Sequence, residues 1–279
     1  MKSNILSQEQ KEQFINDGYV VVSGLIPDEI VAKTREDICN GMGVSLTDST
    51  TWPEGSVALG DKVVEVTNDC RTEKMDDAAT ELVGDLLLRQ MCISSILDMQ
   101  GKPPYVKGFI PVLAFPRPGE KRFDNQNPNL GYHVDGIHFV TLMPQKILLV
   151  ALAYLTDTEL YGGATVVRPG SHRQIFEYWA EKGELPTAEN IMADIDYAPP
   201  ITVAGKAGDV IFMHHLMVHS GSPNHDSHVR VAINANFTSD PDKSYQVKTG
   251  APAEDWTPLN WTLRTDNLNI PENLASSQS

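Results

Sequence analysis

The chain has 279 residues, of which 41% are hydrophobic and 21% charged, and its formal net charge is -15. This length and composition are those of an ordinary globular protein and argue against extensive disorder. The negative charge disfavours nucleic-acid backbones and anionic membrane surfaces as partners, so a small-molecule substrate is favoured instead.

The N-terminal part, residues 1 to about 104, is predicted to be mainly helical. A helix is expected over residues 7–17 with Ser7 as its N-cap, because serine accepts a hydrogen bond from the first helical turn. A short strand over residues 19–23 then leads to a second helix, from 27 to about 39.

The following segment, residues 40–75, is rich in Gly, Ser, Thr and Asp, which predicts irregular structure with short strands such as 62–66. Apolar residues at helical spacing then predict a third helix across residues 76–99.

From residue 105 to about 240, short β-rich runs alternate with turn signals at the spacing expected of a barrel or sandwich. The predicted strands cover residues 106–115, 136–142, 146–155, 164–168, 201–204, 209–213 and 228–237. A helix over about 173–182 interrupts them, and residues 241–279 form an extension without periodicity. The predicted fold class is therefore mainly β with flanking helices, in a single domain.

The three cysteines, Cys39, Cys70 and Cys92, are far apart and form no CxxC pair, which favours a reducing compartment over a disulfide scaffold. The first residues contain no apolar signal core, and the longest apolar run, residues 147–155, is too short to cross a bilayer. We therefore expect a cytoplasmic protein without membrane insertion, and a homodimer is left open.

The pattern His-x-Asp occurs at His133 and Asp135. Successive residues of a strand point to opposite faces, so these two side chains can project to the same side and meet at one ion. Two histidines and one carboxylate are the ligand set of non-haem iron(II) oxygenases. The pattern alone is weak evidence, because a surface turn also explains it. A metal site needs a third ligand from elsewhere in the chain.

The predicted third ligand is His219, which closes an apolar run and precedes a polar turn. Functional groups gather at such junctions between strands and loops. His214 and His215 are the alternatives, although two adjacent residues face opposite ways on a strand and either could belong to the core.

The next strand carries an arginine on its polar face. Its two faces are Val229, Val231, Ile233, Ala235 and Phe237 on one side, and Arg230, Ala232, Asn234 and Asn236 on the other. An inward guanidinium needs an anionic partner, because an unpaired buried charge is costly. That partner is either an internal Asp or Glu, or a small dicarboxylate held in a bidentate grip.

Taken jointly, these segments resemble the phytanoyl-CoA dioxygenase family of iron(II)/2-oxoglutarate-dependent oxygenases over roughly residues 6 to 237. The resemblance is carried by segments 6–14, 18–22 and 27–29, the His133–Asp135 pair, segment 162–172, and Gly208-Asp209 followed by His219, Asn224 and Arg230. It implies a double-stranded β-helix (jelly roll, cupin-like) core.

The same resemblance implies Fe(II) at His133, Asp135 and His219, with O₂ and 2-oxoglutarate as cosubstrates and the distal carboxylate of 2-oxoglutarate on Arg230. The family often has a hydroxyl two residues after the distal histidine. That position here is a glycine flanked by Ser220 and Ser222, and Ser222 is the predicted cosubstrate contact. His172, in a Pro-Gly-Ser-His turn, is interpreted as structural.

The predicted activity is a dioxygenase that hydroxylates, desaturates or cyclises a small organic metabolite and releases succinate and CO₂. Asp135 favours oxygen chemistry, because related halogenases lack this carboxylate. The alternatives are a jelly-roll metal enzyme that does not use 2-oxoglutarate and a non-catalytic binding module, and the intact ligand set counts against both. The segments 116–131 and 183–200 are predicted lids that select the substrate.

The family name suggests an acyl-CoA substrate, whereas the net charge of -15 argues weakly against one. A local basic rim could offset that charge: Lys107, Arg117, Lys121 and Arg122. A secondary metabolite or a small acid is the favoured interpretation.

Overall fold

The computed structural model contains two antiparallel β-sheets and four α-helices within the residues that it describes. These are residues 5–53, 57–59, 70–83, 91–94, 110–117, 119, 124–125, 127, 130–135, 147–182, 186–187 and 190–239. The helices are α1 (Gln8–Asp17), α2 (Asp28–Met42), α3 (Glu73–Val83) and α4 (Ser171–Lys182), with one 3₁₀ turn at Ser49–Thr51. The strands are β1 (Tyr19–Val22), β2 (Val57–Leu59), β3 (Met91–Ser94), β4 (Ile110–Ala114), β5 (Ile147–Tyr154), β6 (Thr165–Val167), β7 (Ile201–Val203), β8 (Val210–His214), β9 (His219–Gly221) and β10 (Arg230–Ser239).

The larger sheet has the strand order β1-β8-β5-β10-β4-β2, and β3 pairs with the far end of β10. The smaller sheet has the order β7-β6-β9. One apolar cluster contains residues of both sheets, including Leu152 and Tyr154 from β5, Val167 from β6 and Val203 from β7. The two sheets therefore face each other, which is the layout of a jelly roll and confirms the predicted fold class.

The opposite face of the larger sheet is covered by the N-terminal helices. A second apolar cluster joins Phe14, Val31 and Met75 of the helices to Phe212 of the sheet. All five residues that were predicted to share one face of β10, from Val229 to Phe237, belong to this cluster, whereas Ala232 belongs to the inner one. The alternation of β10 thus matches the prediction.

Both ends of α1 follow local sequence signals. Ser7 Oγ accepts a hydrogen bond from Gln10 N at 3.1 Å, and the Gln10 side chain accepts one from Ser7 N at 2.9 Å, which makes a capping box. Helix α1 ends at Gly18, whose φ of 81° is left-handed. The N-cap predicted at Ser7 is therefore confirmed.

The third predicted helix was too long. Helix α3 ends at Val83, and Met91–Ser94 is a strand that pairs with the end of β10, from Asn236 to Ser239. Beyond the end of β4, the longer β10 offers backbone groups that β3 satisfies, and this tertiary pairing overrides the helical periodicity of the segment. The strands predicted at 62–66 and 136–142 lie outside the described residues.

None of the helices in the described part of the chain combines the length and apolar character needed to cross a bilayer.

Candidate metal centre

His133 and His219 are direct cross-strand partners. The backbone N–H of each donates to the carbonyl of the other, both at 2.9 Å. Directly opposed residues project their side chains to the same face, and the two imidazole centroids lie 4.5 Å apart. Backbone pairing therefore sets the relative position of the two rings.

Asp135 completes the group. Its Oδ1 lies 3.6 Å from His133 Nε2 and 3.7 Å from His219 Nε2, and the three ligand atoms all lie within 4.8 Å of one another. These separations are too long for hydrogen bonds but suit a metal ion with ligand bonds of about 2.0–2.2 Å. Asp135 Oδ2 is buried and has no hydrogen-bond partner in the described part of the chain. The group therefore fits a metal ion better than a purely structural cluster, since buried carboxylates normally have partners.

The two imidazoles are oriented for coordination by their other ring nitrogens. Nδ1 of His133 lies 2.9 Å from the Gly131 carbonyl, and Nδ1 of His219 lies 2.9 Å from the Met217 carbonyl. A carbonyl only accepts, so each Nδ1 carries the proton and each Nε2 is left with a lone pair directed at the Asp135 side. Hydrogen bonds of this kind fix the tautomer of metal-binding histidines.

The charges of the three groups are coupled. Burial would raise the pKa of Asp135, but its interactions with His133 and His219 outweigh burial and hold that pKa below its usual value. Burial and the nearby His133 lower the pKa of His219. Burial would also lower the pKa of His133, but the interaction with Asp135 raises it overall. Asp135 is thus ionised and attracts a cation.

The cluster is open on one side. The His133 side chain is 42% exposed, whereas those of Asp135 and His219 are 13% and 9% exposed. Ligands can therefore approach a bound ion past His133 while the other two groups stay inside the barrel.

Arg230 begins β10 and is buried. Its Nε donates to the Gly163 carbonyl and its Nη1 to the Val112 carbonyl, both at 2.8 Å. Burial lowers its pKa, and no carboxylate of the described residues pairs with it. The internal Asp or Glu partner that the sequence allowed is therefore not found among these residues, and Nη2 keeps unused hydrogen-bonding capacity there.

A glycine makes room for this arginine. Gly163 has a φ of 79°, and a Cβ at this position would lie 2.9 Å from Ala114 Cβ and 3.5 Å from Arg230 Nε. A side chain at residue 163 would therefore clash with β4 and crowd the guanidinium.

The two serines beside His219 are both bonded to backbone. Ser222 Oγ donates to the Ala164 carbonyl at 2.7 Å, and Ser220 Oγ donates to the Leu130 carbonyl at 2.6 Å. Each hydroxyl proton is thus used in a hydrogen bond to the backbone. A contact from Ser222 to an anionic cosubstrate would require the Ser222 hydroxyl to rotate away from Ala164. The role of Ser222 stays a prediction.

Asn224 closes the turn between β9 and β10. Its Nδ2 donates to the carbonyls of Ala114 at 2.9 Å and His228 at 2.7 Å, and its Oδ1 accepts from Asp226 N at 2.9 Å. These bonds hold the turn that connects His219 to Arg230.

His172, His214 and His215 lie apart from the candidate metal cluster. The rings of His214 and His215 stack with centroids 4.3 Å apart, and His172 lies 5.1 Å from His214. His172 Nε2 also bonds to the Ile15 carbonyl at 3.2 Å, in agreement with its structural interpretation. Among the described residues, the structure brings only His219 of the three candidate histidines to His133 and Asp135.

Tyr154 was not singled out from the sequence because it ends an apolar strand like any core residue. Its hydroxyl accepts from Thr165 N at 2.9 Å and donates to the Val203 carbonyl at 2.8 Å. The side chain thereby joins the larger sheet to the smaller one inside the barrel.

Tyr132, which precedes His133, and Arg168, which bonds to the backbone of Val218, each contact one of the two predicted lid segments. The Tyr132 hydroxyl donates to the Asn125 carbonyl at 2.6 Å, and Arg168 Nη1 donates to the Ala198 carbonyl at 3.2 Å. The Arg168 guanidinium lies 4.8 Å from the centre of the Tyr132 ring. Their function as lids stays a prediction.

Comparison with known proteins identifies relatives of the chain. The family model "Phytanoyl-CoA dioxygenase (PhyH)" matches residues 14–232. A "Probable phytanoyl-CoA dioxygenase" of Caenorhabditis elegans is 22% identical over 252 residues, which cover 86% of this chain and 77% of that protein.

The solved structures with a similar fold include the following two. The "non-heme alpha ketoglutarate dependent carbocyclase SnoK from nogalamycin biosynthesis" has a TM-score of 0.52 and 20% identity, with 84% of each chain covered. EctD from S. alaskensis "with bound Fe" has a TM-score of 0.54 and 16% identity, covering 86% of this chain and 79% of EctD. Because the family match extends over more than half of its length, the chain belongs to the phytanoyl-CoA dioxygenase (PhyH) family of iron(II)- and 2-oxoglutarate-dependent dioxygenases.

Proposed function

We propose that His133, Asp135 and His219 hold the Fe(II) of this dioxygenase. The observation that carries the proposal is the convergence of two Nε2 lone pairs on Asp135, whose buried Oδ2 has no partner in the described part of the chain. Two imidazoles and one carboxylate are the ligand set that suits iron(II) oxygenases. EctD, which shares the fold, contains iron in its solved structure.

Arg230 binds the distal carboxylate of 2-oxoglutarate in this proposal. A buried guanidinium with two of its nitrogens on backbone carbonyls and no acidic partner among the described residues is prepared for an anion from outside. Ser222 would assist once its hydroxyl turns away from the Ala164 carbonyl.

When bound, the iron supplies the redox chemistry that couples the oxidation of 2-oxoglutarate to succinate and CO₂ with oxidation of a substrate C–H bond by O₂. The chain orients and encloses the reactants. The Gly131 and Met217 carbonyls keep the proton of each imidazole on Nδ1, and the ionised Asp135 supplies negative charge. The buried Arg230 would hold the distal carboxylate of the cosubstrate at the start of β10.

The oxidised substrate in this proposal is a small organic metabolite, which is hydroxylated, desaturated or cyclised. SnoK is described as a carbocyclase, so ring formation belongs to the chemistry of this fold. The net charge of -15 supports a small molecule over nucleic acid, a membrane surface or acyl-CoA. A cytoplasmic location and a homodimer stay predictions.

An anaerobic titration tests the metal and cosubstrate roles. Adding Fe(II) and 2-oxoglutarate should produce the visible charge-transfer absorption of the iron chelate in the wild type, and the His219→Ala variant should lose it. The His228→Ala variant is the control, because that side chain is 82% exposed and outside the cluster. A wild type without this absorption would contradict the proposal and favour the enzyme that does not use 2-oxoglutarate or the binding module.

A further inference from the structure

The larger sheet contains a partly buried asparagine whose amide oxygen has no partner among the described residues. Asn234 lies in β10, where it is paired with Ile110 of β4 on one side and with Leu152 of β5 on the other. Its Oδ1 is inaccessible to solvent and accepts no hydrogen bond within the described part of the chain. A native interior rarely keeps such an atom unless a ligand or water completes it.

The side chain of Asn234 points into the space between the sheets. Ala232, two residues earlier on the same face of β10, belongs to the inner apolar cluster, and so does Leu152, which is directly opposite Asn234. That cluster also contains Val167 and Val203 of the smaller sheet. The amide therefore faces the smaller sheet and not the N-terminal helices.

The Tyr154 side chain connects the two sheets and shows which of their residues lie at the same height in the barrel. It is the cross-strand partner of Ala232, and its hydroxyl bonds to Thr165 of β6 and to Val203, which is paired with Thr165. Ala232 in the larger sheet and Thr165 in the smaller sheet thus lie at the same level of the barrel.

One step further along both sheets leads to Asn234 and the metal cluster. The chain leaves β5 after Tyr154 and enters β6 at Thr165. Moving away from this connection leads from Tyr154 to Leu152 along β5. It leads from Thr165 to Val167 along β6. Leu152 is paired with Asn234, and Val167 is paired with His219. By this pairing, Asn234 and His219 lie at corresponding levels of the two facing sheets.

Along the inner face of β10, Arg230 would bind the cosubstrate and Asn234 would bind the substrate. Facing sheets lie about 10 Å apart, which leaves room for a small group between an amide on one side and a metal bound by imidazoles on the other. Arg230 and Asn234 lie on either side of Ala232 along β10, with Arg230 nearer the turn that precedes this strand. At about 3.3 Å per residue, Arg230 and Asn234 are about 13 Å apart. Cosubstrate at Arg230 and substrate at Asn234 would thus approach the metal from different ends.

We propose that Asn234 is a substrate-binding residue whose amide oxygen accepts a hydrogen bond from a hydroxyl or amino group of the oxidised substrate, beside the metal. This inference rests on the proposed function. It narrows the substrate class to small molecules that carry such a donor close to the oxidised C–H bond. A substrate without the donor would leave the amide oxygen unpaired, and sites of this kind discriminate strongly against such analogues.

The first test makes the same substitution at two asparagines, the partly buried Asn234 and the buried Asn224. Because Oδ1 of Asn234 accepts no bond within the described part of the chain, Asn234→Leu should leave the Tm of the metal-free protein unchanged or raise it. Asn224→Leu is the matched control and should lower Tm, since it removes bonds to Ala114, His228 and Asp226. A loss of Tm for Asn234→Leu as large as that of the control would assign Asn234 a structural role and overturn the proposal.

The second test separates substrate from cosubstrate. The Kd for the cosubstrate 2-oxoglutarate, measured by the anaerobic charge-transfer absorption with Fe(II), should stay within about threefold of the wild-type value in Asn234→Leu, since a threefold change is a small free-energy difference. A weakening of tenfold or more, about 1.4 kcal/mol, would assign the amide to the cosubstrate and overturn the substrate role. A wild type that forms no chelate would refute the proposed function itself.

The third test uses succinate release with matched pairs of small metabolites, each with a free hydroxyl or amino group and with that group deleted or methylated. The wild type should favour the donor-bearing member by about tenfold or more in kcat/KM, and Asn234→Leu should lose that preference. Equal activity of the wild type on both members, or full activity on the methyl ethers, would refute the role of Asn234 while leaving the iron and 2-oxoglutarate sites intact.

Discussion

At the scale of single residues, Arg230 combines a structural and a binding task. Its Nε and Nη1 donate hydrogen bonds to the carbonyls of Gly163 and Val112. The hydrogens that these two bonds do not use are left to bind an anion. Lysine has a single ammonium group and cannot keep both carbonyls and bind a carboxylate. We expect Arg230→Lys to raise the KM for the cosubstrate 2-oxoglutarate by about tenfold or more, because a charged hydrogen bond is worth about 1.5–3 kcal/mol.

The measurement is the rate of succinate release as the cosubstrate concentration is varied. Arg173→Lys is the matched control, because that arginine bonds to Ile15 and Asn16, away from the site. A KM that changes equally in both variants, or in neither, would contradict the role of Arg230.

Asp135 is expected to determine the affinity of the site for Fe(II). Replacing it with alanine removes one ligand and the negative charge that attracts the cation, so Asp135→Ala should weaken Fe(II) binding by at least about 100-fold, more than outer-shell substitutions do. Competition with a coloured chelator measures this affinity. Asp157→Ala, at a side chain that is 58% exposed, should bind Fe(II) as the wild type does.

His172 provides a pH dependence of stability. Burial, together with the charge of Arg173, lowers its pKa to about 3, whereas an unfolded imidazole titrates near 6.5. The unfolded state therefore binds an extra proton between these two pH values, and the free energy of unfolding falls as pH drops from 6.5 towards 3. The contribution of this group is about 1.4 kcal/mol per pH unit, or about 2 kcal/mol at pH 5.

Urea unfolding at pH 7 and pH 5 checks this expectation. The wild type should lose more stability between the two pH values than His172→Gln, whose amide does not titrate. Equal losses in both proteins would show that His172 is not the titrating group.

At the scale of elements, the junction between α1 and β1 depends on Gly18. Its φ is 81°, and an added Cβ would lie 2.4 Å from His172 Nδ1. Gly18→Ala should therefore lower the free energy of unfolding by about 2–4 kcal/mol, through left-handed strain and overpacking together. Gly24→Ala is the control with only the first effect, since its φ is 64° but no atom lies within 4 Å of the new Cβ. Equal losses in the two variants would contradict the clash with His172.

The elements differ in how far local sequence predicts them. The cap at Ser7 and the alternation of β10 depend on neighbouring residues, so both could be predicted. Strand β3 could not be predicted, because its apolar residues also fit a helix. It is a strand because it pairs with the part of β10 that follows the residues paired with β4.

At the scale of the whole molecule, the proposed ligands come from separate parts of the chain. His133 and Asp135 precede β5, whereas His219 lies in β9 and Arg230 in β10, so the unfolded chain has no such site. Fe(II) and 2-oxoglutarate should therefore stabilise the folded state by mass action, by about 2.7 kcal/mol at a ligand concentration of 100 times Kd. A thermal melt under anaerobic conditions should show a higher Tm with both ligands, and His219→Ala should remove the increase.

The sequence by itself determined the features that depend on short-range order. Strand alternation puts His133 and Asp135 on one side, and the pattern after residue 229 puts Arg230 and Asn234 on the inner face of β10. Only the tertiary structure decided that His219, and not His214 or His215, lies opposite His133, and that Leu152 of the inner apolar cluster lies opposite Asn234. The physical reason is that backbone pairing between distant segments places these side chains, and local periodicity carries no information about which strands become neighbours.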